Sequence, residues 1–600
     1  MTLEWHSGEE AMHRLLHVPY EENPTVPGLP MAYGHWMAQS PLLALGTVDE
    51  NDHVWTTVLG GSAGVTRPIA AGALGLSTPA HLRPTTGRVG FDPVLEALFS
   101  DDAEIVDYAG RGKLVAGLAM DLEQRTRVKI AGRMLRGVVR GKESGSRVDV
   151  QMAVAIDETL GNCPKYLNRK IVRPHEASPE LISDRLPLDP DAVDLIGRAD
   201  IFFISSRHGA ESMDTNNRGG NPGFVRVLSN SDDEGVTLVY PEYSGNRLFQ
   251  TLGNLKTDPT VGVTFPDFET GDVLYATGRA EILVGADAAA LLPHSAVAVR
   301  IDVDAARFVR DGLPFRGRPL DPSPYNPPVR KLARELDGSD PAVSPTGIGT
   351  ATLVGKQSIT PTVSRYTFLL GSDFPQPEPW QAGQHVTLDF SAHLDRGWSH
   401  MRDHDPRSLN DDYVRSFTIS SPPPRSGGLG GAEFDVTART NGPVTKLLAR
   451  WRPGTTLTAA VLGFGGVGFV DSADDVVVVA AGVGITPLLA QAPEVLESGR
   501  ELRVLWSLRA DDIPLAVDVL ERIDGLAAKT DLFVTGPGLE RDALARLGAR
   551  VHTRRVEKAD VLGAGEKGQR RFYVCTGRAF RESVLDWVGG EDVHSEAFEY

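Results

Sequence analysis

A short predicted strand carries three side chains whose types suit one kind of ligand. In VRSFTISSPPP, residues 414–424, Arg415, Phe417 and Thr418 lie within four positions of one another, and three prolines close the strand. A guanidinium pairs with phosphate oxygens, an aromatic ring offers a flat apolar face, and a hydroxyl forms hydrogen bonds. A flavin dinucleotide uses all three, so these residues and the intervening Ser416 are candidate cofactor ligands. An ordinary exposed strand can carry the same string, and the interpretation therefore depends on the segments further along the chain.

A glycine turn comes next, in TARTNGPVTKLLARWRPGTTL at 437–457. Gly442, Val444 and Thr445 stand at the predicted start of a short helix. The first backbone N–H groups of a helix lack helical partners and bind phosphate, and the Thr445 hydroxyl can add a further bond. This turn is predicted to bind the same pyrophosphate as Arg415.

A second glycine turn, GVGITP at 482–487, lies between an apolar predicted strand and a predicted helix. Glycines let a phosphate-bearing ligand approach the backbone, and proline suits the first turn of a helix. Gly482, Gly484 and Thr486 are therefore candidate nucleotide ligands. The later segments ELRVLWSLRADDIPL, KTDLFVTGPG and RRFYVCTGRAFRESVLDWV are typical of strands that feed helices, which predicts a doubly wound parallel sheet.

Cations also converge in the first half of the chain. PGFVRVLSN places Arg226 on a predicted strand, and YPEYSGNRLFQTLGNL places Asn246 and Arg247 at a turn that enters a helix. Cations beside a helix start predict an anion site, with phosphate the usual guest. Ion pairs with nearby acidic residues are an equally good explanation of both arginines on spacing alone.

Composition limits the classes of partner. The 600 residues suggest three to five domains. The chain has 61 basic and 79 acidic side chains and a formal charge of −18, which disfavours nucleic acid and anionic membranes as partners. The two cysteines are too few for a disulfide framework, the N-terminus has no apolar signal core, and no apolar run is long enough to cross a membrane. These features predict a soluble cytoplasmic protein.

Hydrophobic patterning predicts an internal duplication followed by a linker. Two stretches before residue 316 share one order of short alternating strands around a helical patch, which is typical of small antiparallel barrels that can pack as a built-in dimer. The predicted domains are a first barrel at 1–185, a second barrel at 186–315, a proline-rich linker at 316–346, an antiparallel barrel at 347–471 and the parallel sheet at 472–600.

The second half resembles the ferredoxin-reductase-like flavoenzymes across about 347–600. The resemblance rests on the order Arg-x-aromatic-Thr, Gly-Pro-Val-Thr, Gly-Val-Gly-Ile-Thr-Pro, Cys-x-Gly and a terminal Glu-x-Phe. It implies that the first two segments bind FAD and that the glycine turn, Cys575 and Gly577 bind NADPH or NADH. It also implies that Phe598 covers the flavin ring and that Glu596 lies beside the reacting carbon with Cys575. Phe417 and Thr418 stand where the family has tyrosine and serine.

The first half resembles the pyridoxamine-phosphate-oxidase-like FMN-binding split barrels, through FVRVL, SGNR, LKTDPTVGVTF and GRAEI. The resemblance implies that Arg226 and Arg247 hold the FMN phosphate. The implied further ligands are Ser244, Asn246, Lys165 and Tyr166. The first barrel has Thr56 about where the second has Arg226, so one FMN per chain is expected.

Two opposing signals bear on nucleotide choice. In the resembled reductases, residues just after the strand that follows the glycine turn contact the adenosine 2′ position. In this sequence that strand lies in VLWSLRADD. Ser507 and Arg509 suit a 2′-phosphate, whereas Asp511 and Asp512 would repel it. The balance leans slightly to NADPH. Elsewhere, the loop SHMRDHDPRSLNDDY at 399–413 has two histidines, His400 and His404, and several acidic residues without metal-ligand spacing, and a solvated loop without metal is expected there.

The sequence thus predicts a multidomain α+β and α/β chain of tandem split barrels, an antiparallel FAD-binding barrel and a parallel NAD(P)-binding sheet. The expected activity passes hydride from NAD(P)H to FAD and then electrons to FMN or to a small-molecule or protein acceptor. Two alternatives stay open. One is a reductase of free flavin, ferric chelates or quinones whose barrel only docks the substrate. The other is a flavin- or haem-binding sensor or carrier that is fused to the reductase that sets its redox state.

Overall fold

The computed structural model describes most of the chain, namely residues 3–19, 21–99, 104–141, 146–161, 165–336, 347–372, 374, 380–395, 402–424, 429–466, 475–537, 548–564 and 570–597. The chain forms two compact units. The first unit comprises Met1–Glu335 and Arg396–Asp411, and the second comprises Leu336–Asp395 and Asp412–Tyr600. A segment from within the predicted antiparallel barrel therefore belongs to the first unit.

The first unit contains twenty described strands. They are β1 (Val26–Pro27), β2 (Leu42–Val48), β3 (Val54–Gly60), β4 (Thr66–Ala70), β5 (Ala73–Leu82), β6 (Val89–Gly90), β7 (Ile105–Asp107), β8 (Lys113–Asp121), β9 (Thr126–Arg140), β10 (Arg147–Gly161), β11 (Lys170–Pro174), β12 (Glu180–Ser183), β13 (Ile201–His208), β14 (Ser212–Gly219), β15 (Arg226–Ser231), β16 (Gly235–Pro241), β17 (Thr260–Pro266), β18 (Val273–Val284), β19 (Val297–Arg310) and β20 (Phe315–Pro319).

Six described helices accompany these strands. They are α1 (Ser7–Leu15), α2 (Met31–Gln39), α3 (Pro93–Leu98), α4 (Pro190–Arg198), α5 (Gln250–Thr257) and α6 (Ala286–Leu291).

Two antiparallel sheets of the first unit repeat one another. The main path of the first sheet runs β3-β2-β8-β9-β10-β5-β4, and that of the second runs β14-β13-β17-β18-β19-β16-β15. Each strand of the first path has a counterpart at the same place in the second, and α2 and α4 each precede the first strand of their repeat. The topology of these described strands is thus an internal repeat, as the recurring sequence features predict.

The two repeats pack directly on each other. Buried side chains from both sheets form one hydrophobic cluster, which includes Leu43 and Leu118 from the first repeat and Phe203 and Tyr275 from the second. Gly262 on β17 permits a close approach, because a Cβ atom there would lie 2.4 Å from the carbonyl oxygen of Val54. The repeats therefore meet backbone to backbone.

The stretch predicted as a linker begins with ordered structure. Residues 316–319 lie in β20, which pairs with β11, and a 3-10 helix spans Ala333–Glu335. Ser323 donates its backbone N–H to the Asn168 side chain at 2.8 Å. The described residues from 316 to 335 consequently belong to the first unit.

The second unit contains twelve described strands. They are β21 (Gly349–Ser358), β22 (Val363–Leu370), β23 (His385–Asp389), β24 (Val414–Thr418), β25 (Glu433–Arg439), β26 (Thr458–Gly465), β27 (Asp475–Ala481), β28 (Leu502–Arg509), β29 (Thr530–Thr535), β30 (Arg550–His552), β31 (Arg570–Thr576) and β32 (Val593–Ala597).

Seven described helices belong to the second unit. They are α7 (Ser391–Leu394), α8 (Pro443–Arg450), α9 (Thr486–Leu489), α10 (Ala492–Glu497), α11 (Ile513–Arg522), α12 (Lys558–Leu562) and α13 (Arg578–Val588).

The strands of the second unit form an antiparallel and a parallel sheet. The antiparallel sheet has the order β24-β23-β26-β21-β22-β25, and the parallel sheet has the order β30-β29-β28-β27-β31-β32. Alternate residues of β27 face two cores: Val476 and Val478 pack with residues of α9–α11, whereas Val477 and Val479 pack with residues of α12 and α13. The prediction of a multidomain chain with antiparallel sheets and one parallel sheet is confirmed.

Candidate functional site

A cation-rich cavity lies at the interface between the repeats of the first unit. Its volume is about 80 Å³, and it is lined by β9 of the first repeat and by β14, the end of β16 and the start of α5 of the second. The lining includes five cationic side chains, namely Arg127, Lys129, Lys165, Arg218 and Arg247. Both repeats therefore contribute positive charge to one space.

Two of these five cations form ion pairs within the site. Lys129 is buried and forms an ion pair with Asp214. Burial lowers the pKa of Lys129, and the neighbouring Asp214 carboxylate opposes that effect. Arg218 pairs with Glu242 at 2.7 Å. The protein itself thus neutralises two of the five charges.

Arg247 is different, because its Nη2 atom is buried and has no hydrogen-bond partner among the described residues. Burial lowers the pKa of this guanidinium. A buried, unsatisfied donor is costly in free energy, and an anionic guest would satisfy it. Arg247 is therefore a candidate ligand for an added phosphate.

The turn that carries Arg247 has a strained backbone. Arg247 and Phe249 both lie in the left-handed region, with φ of 63° and 52°. His13 of α1 holds this turn from outside: its Nε2 atom lies 2.8 Å from the Arg247 carbonyl oxygen, and its ring lies 5.5 Å from the Phe249 ring. Such strain persists only where surrounding structure holds it, and it is frequent at ligand sites.

The helix that starts beside this turn leaves its N-terminus available. Phe249 is the N-cap of α5 and makes no side-chain capping bond. In the first repeat, the N-cap of α3 is Asp92, which accepts the backbone N–H groups of Val94 and Leu95 at 2.9 and 3.1 Å. An uncapped N-terminus attracts an anion, whereas the Asp92 carboxylate already occupies that place in the first repeat.

A second cavity lies beside α3 and has an acidic residue, Asp92, at the start of that helix. Its volume is about 40 Å³, and its lining includes Asp92 and Tyr275. Burial raises the pKa of Asp92, and hydrogen bonds from Thr57 and from backbone amides partly offset that effect. In this cavity the Asp92 carboxylate occupies the start of the helix, and the lining cation Arg147 is paired with Glu176 at 2.6 Å.

The predicted FMN ligands divide into two groups. Lys165, Tyr166, Asn246 and Arg247 line the first cavity, and Ser244 borders it through its carbonyl oxygen, which accepts hydrogen bonds from the Lys165 and Tyr166 side chains at 3.2 and 2.8 Å.

Arg226 is placed differently from the prediction. Its guanidinium forms a two-point pair with Glu335, at 2.7 and 3.1 Å, and it is not among the residues that line the cavity. Glu335 lies 109 positions further along the chain, so the spacing around Arg226 could not indicate this partner. Arg226 therefore joins the end of the first unit to β15.

In the second unit, Arg415 lies beside the start of α8. A Cβ atom placed on Gly442 would be 4.0 Å from the Arg415 Nη2 atom. Gly442 caps α8 without a side-chain bond, so the first amides of the helix are available to an anion. The Thr445 hydroxyl accepts the Asn441 backbone N–H at 2.8 Å and so shapes the turn. The predicted pyrophosphate ligands Arg415, Gly442 and Thr445 are thus close together.

The neighbours of Arg415 alternate across β24, an edge strand of the antiparallel sheet. Because side chains alternate along a strand, Arg415 and Phe417 share one face and Ser416 and Thr418 the other. Phe417 is half-buried against the core of this sheet. The Ser416 hydroxyl bonds to that of Thr387 at 2.8 Å, and Thr418 is buried. The strand offers a cation and a ring together on one face.

The second glycine turn lies where the parallel sheet reverses its strand order, between β27 and β31. Gly482 has a φ of 54°, and its carbonyl oxygen accepts the Trp506 indole N–H at 2.9 Å. A Cβ atom on Gly484 would be 2.1 Å from the Cys575 carbonyl oxygen. The carboxyl edge of an open sheet at such a reversal is where nucleotides bind in this architecture.

Two predicted residues of the nicotinamide site, Cys575 and Glu596, lie on the neighbouring strands β31 and β32. Cys575 is buried and lies in register with Ala480 on one side and with Glu596 on the other. Gly577 is the N-cap of α13 and makes no side-chain capping bond. Thr486 is buried at the start of α9, Val444 is buried in α8, and Phe598 lies outside the described residues.

Asp512, which was predicted to repel a 2′-phosphate, has a structural role. Asp512 is buried and pairs with Arg439 of β25 at 2.6 Å, which joins the two sheets of the second unit. Arg509 is exposed at the end of β28, Ser507 is half-buried on the same strand, and Asp511 is exposed. The Asp512 carboxylate is thus already engaged by an arginine, whereas Arg509 faces solvent.

Several residues of the first cavity were not found from the sequence. Arg127 and Lys129 stand two positions apart on β9, and Arg218 lies on β14. The alternation in TRVKI is a signal that could have indicated a cationic face for β9. No comparable signal exists for His13 or Asn410, which reach the 243–249 turn from far along the chain.

The described residues add two negative findings. None of their helices is both long and apolar enough to cross a membrane. Within the same described part of the chain, no group of three or more His, Cys, Asp and Glu side chains is placed to hold a metal ion.

Comparisons with known proteins give matches only among solved structures. A scan against models of known families finds no match, and a search of curated proteins finds none either. Full-length CYP116B46 from Tepidiphilus thermophilus matches with 16% identity and a TM-score of 0.31, over 42% of this chain and 29% of its own. This chain therefore covers less than a third of that protein.

Two further matches are an FAD/NAD-binding domain and a reductase. The flavohaem-like FAD/NAD-binding domain of nitric oxide dioxygenase from Vibrio cholerae O1 biovar El Tor matches with 15% identity and a TM-score of 0.31, over 42% of this chain and 99% of its own. Phthalate dioxygenase reductase is described as a modular structure for electron transfer from pyridine nucleotides to a 2Fe–2S centre. It matches with 16% identity and a TM-score of 0.30, over 42% of this chain and 67% of its own.

Proposed function

We propose that this chain is an NAD(P)H-dependent flavin oxidoreductase with an FAD site in the second unit and an FMN site in the first. The observation that carries the proposal is the placement of Arg415 beside the uncapped start of α8, in the same unit as the glycine turn at the reversal of the parallel sheet. A cation with free amides suits a pyrophosphate, and the glycine turn suits a nucleotide.

The residues of the second unit divide the work between two cofactors. Arg415 and the first amides of α8 would hold the FAD pyrophosphate, and Phe417 would lie against its apolar part. Gly482, Gly484 and Gly577 would let the backbone approach NAD(P)H, and Arg509 would bind a 2′-phosphate. The cofactors supply the hydride chemistry, and the protein binds and orients them.

The FMN part of the proposal depends on the first unit. Arg247 and the uncapped α5 N-terminus would hold one FMN phosphate, and Lys165 and Tyr166 border the same space. In the first repeat the Asp92 carboxylate already occupies the corresponding helix N-terminus, which supports one FMN per chain. Electrons would pass from FAD to this FMN or to an external acceptor.

The first test is cofactor content. Flavins released by acid from the purified full-length protein and separated by chromatography should comprise one FAD and one FMN per chain. Arg415→Ala should lose FAD, because the pyrophosphate loses its cation, and should keep FMN. FAD without FMN would leave the first unit as a docking module, and full FAD retention by Arg415→Ala would refute the assignment of the second site.

A further inference from the structure

A residue from far downstream helps to build the cavity of the first unit. The segment 402–411 lies in the sequence between β23 and β24, yet it belongs to the first unit. It contains a 3-10 helix at Pro406–Asn410, and Arg330 donates to the Asn410 carbonyl oxygen at 3.2 Å. The described residues 402–411 of the loop predicted at 399–413 are hydrogen-bonded to other residues of the first unit through Asn410 and Asp403.

Asn410 completes a closed ring of hydrogen bonds at the edge of the cavity. The Ser244 backbone N–H donates to Asn410 Oδ1 at 2.9 Å, Asn410 Nδ2 donates to the Tyr166 hydroxyl at 2.8 Å, and that hydroxyl donates to the Ser244 carbonyl oxygen at 2.8 Å. Both backbone polar groups of Ser244 are therefore fixed by side chains that are distant in sequence.

This ring of hydrogen bonds holds one end of the Ser244–Arg247 turn, which carries the Arg247 guanidinium. Lys165 extends it by donating to the Gly245 carbonyl oxygen at 2.7 Å. Two residues after Gly245 comes Arg247, with its left-handed backbone and its buried Nη2 atom. His13 holds the other end of the same turn through the Arg247 carbonyl oxygen. Loss of the hydrogen bonds at Ser244 would consequently allow Arg247 to shift relative to the start of α5.

We propose that Asn410 is a positioning residue for phosphate recognition: it fixes the Ser244–Arg247 turn so that the Arg247 guanidinium and the first amides of α5 converge on one phosphate. The inference rests on the proposed FMN site. A purely structural Asn410 would anchor the segment 402–411 and would affect every ligand of the cavity alike. A positioning Asn410 affects only the ligand that carries a phosphate.

The test compares FMN with riboflavin, which lacks the phosphate. Both are titrated into flavin-stripped full-length protein, and binding is followed by the quenching of flavin fluorescence. Asn410→Ala removes two hydrogen bonds, each with a modest net value, so its Kd for FMN should rise roughly 5- to 50-fold. Its Kd for riboflavin should stay within about twofold of the wild type. His404→Ala, at an exposed position of the same segment, is the matched control and should behave as wild type.

Tyr166→Phe supplies a second, independent variant. It removes the hydroxyl that joins Asn410 to Ser244, so it should reduce the preference for FMN over riboflavin as Asn410→Ala does. The double variant should lose no more than the larger single effect, because residues of one network are not additive. Tyr166→Phe also tests the inference if Asn410→Ala does not fold.

The outcomes separate this inference from the proposed function. An Asn410→Ala protein with the wild-type ratio of FMN to riboflavin affinity overturns the inference, as do additive losses in the double variant. An equal loss of both ligands likewise overturns it in favour of simple anchoring. A wild-type protein that binds FMN no better than riboflavin overturns the proposed phosphate site itself.

Discussion

Two arginines that look alike in the sequence have different surroundings. Arg226 is held by both oxygens of Glu335, whereas Arg247 has a buried Nη2 atom without a partner among the described residues. A paired guanidinium has its charge balanced, but an unsatisfied buried donor gains free energy from an anionic ligand. At the scale of single residues, this difference favours the assignment of the proposed FMN phosphate to Arg247 rather than to Arg226.

The first residue-scale prediction concerns that assignment. Arg247→Ala removes a charge-assisted hydrogen bond and should raise the Kd for FMN about tenfold to hundredfold. Arg226→Ala is the matched control, and it should leave FMN affinity nearly unchanged because Arg226 does not line the cavity. Equilibrium titration of stripped protein measures both. A larger loss in Arg226→Ala than in Arg247→Ala would show that the phosphate binds elsewhere.

The second residue-scale prediction concerns nucleotide choice. Asp512 is buried against Arg439, so Arg509 is the exposed charged group at the end of β28 that can bind a 2′-phosphate. Arg509→Ala should lower kcat/KM for NADPH about tenfold and leave that for NADH almost unchanged. Asp511→Asn serves as the control and should not reduce NADPH use. Equal losses with both nucleotides would contradict the assignment.

At the scale of elements, the helix α1, which lies outside both repeats, packs on α5, whose start lines the first cavity. α1 packs on α5 so closely that a Cβ atom on Gly8 would be 2.0 Å from the Gly253 carbonyl oxygen. The packing buries Glu9, whose carboxylate accepts the His6 backbone N–H at 3.0 Å. Burial raises the pKa of Glu9 to about 7, against a usual value of 4.5.

This pKa gives a prediction of pH dependence. The folded state keeps the Glu9 proton up to about pH 7, whereas the unfolded chain releases it near pH 4.5. The contribution of Glu9 to stability is therefore greatest below pH 4.5 and falls as the pH rises to 7. Glu9→Gln should stabilise the first unit by about 2 kcal/mol more at pH 8 than at pH 5.5.

Thermal unfolding of the full-length protein at the two pH values measures the effect. Glu10→Gln is the control on the same helix turn, because Glu10 is exposed and paired only with Arg14 at 3.5 Å. That variant should show little pH-dependent change. A Glu9→Gln effect of equal size at pH 5.5 and pH 8 would mean that Glu9 is ionised throughout.

At the scale of the whole molecule, the two repeats of the first unit share one topology but differ in the residues at the starts of α3 and α5. The two repeats have matching strand orders, but the start of α5 is uncapped beside Arg247 while the start of α3 is closed by Asp92. The first repeat contributes Arg127 and Lys129 to the lining of the first cavity.

The sequence predicted those features that depend on local pattern. The alternation of the strands, the glycine turns at Gly442 and Gly482 and the parallel sheet follow from periodicity and turn residues. Partners that are distant in sequence were not predictable from it. Glu335 beside Arg226, Arg439 beside Asp512 and Asn410 beside Ser244 are brought together only by folding, and no spacing rule connects them.

Anaerobic reduction by NADPH in a stopped-flow instrument tests the proposed electron path itself. The wild-type protein should bleach in two phases, with FAD reduced before FMN. Arg247→Ala without FMN should keep only the first phase, and Arg415→Ala without FAD should show neither. Rapid bleaching of FMN by NADPH in Arg415→Ala, or no bleaching of either flavin in the wild type, would contradict the proposed path from NADPH through FAD.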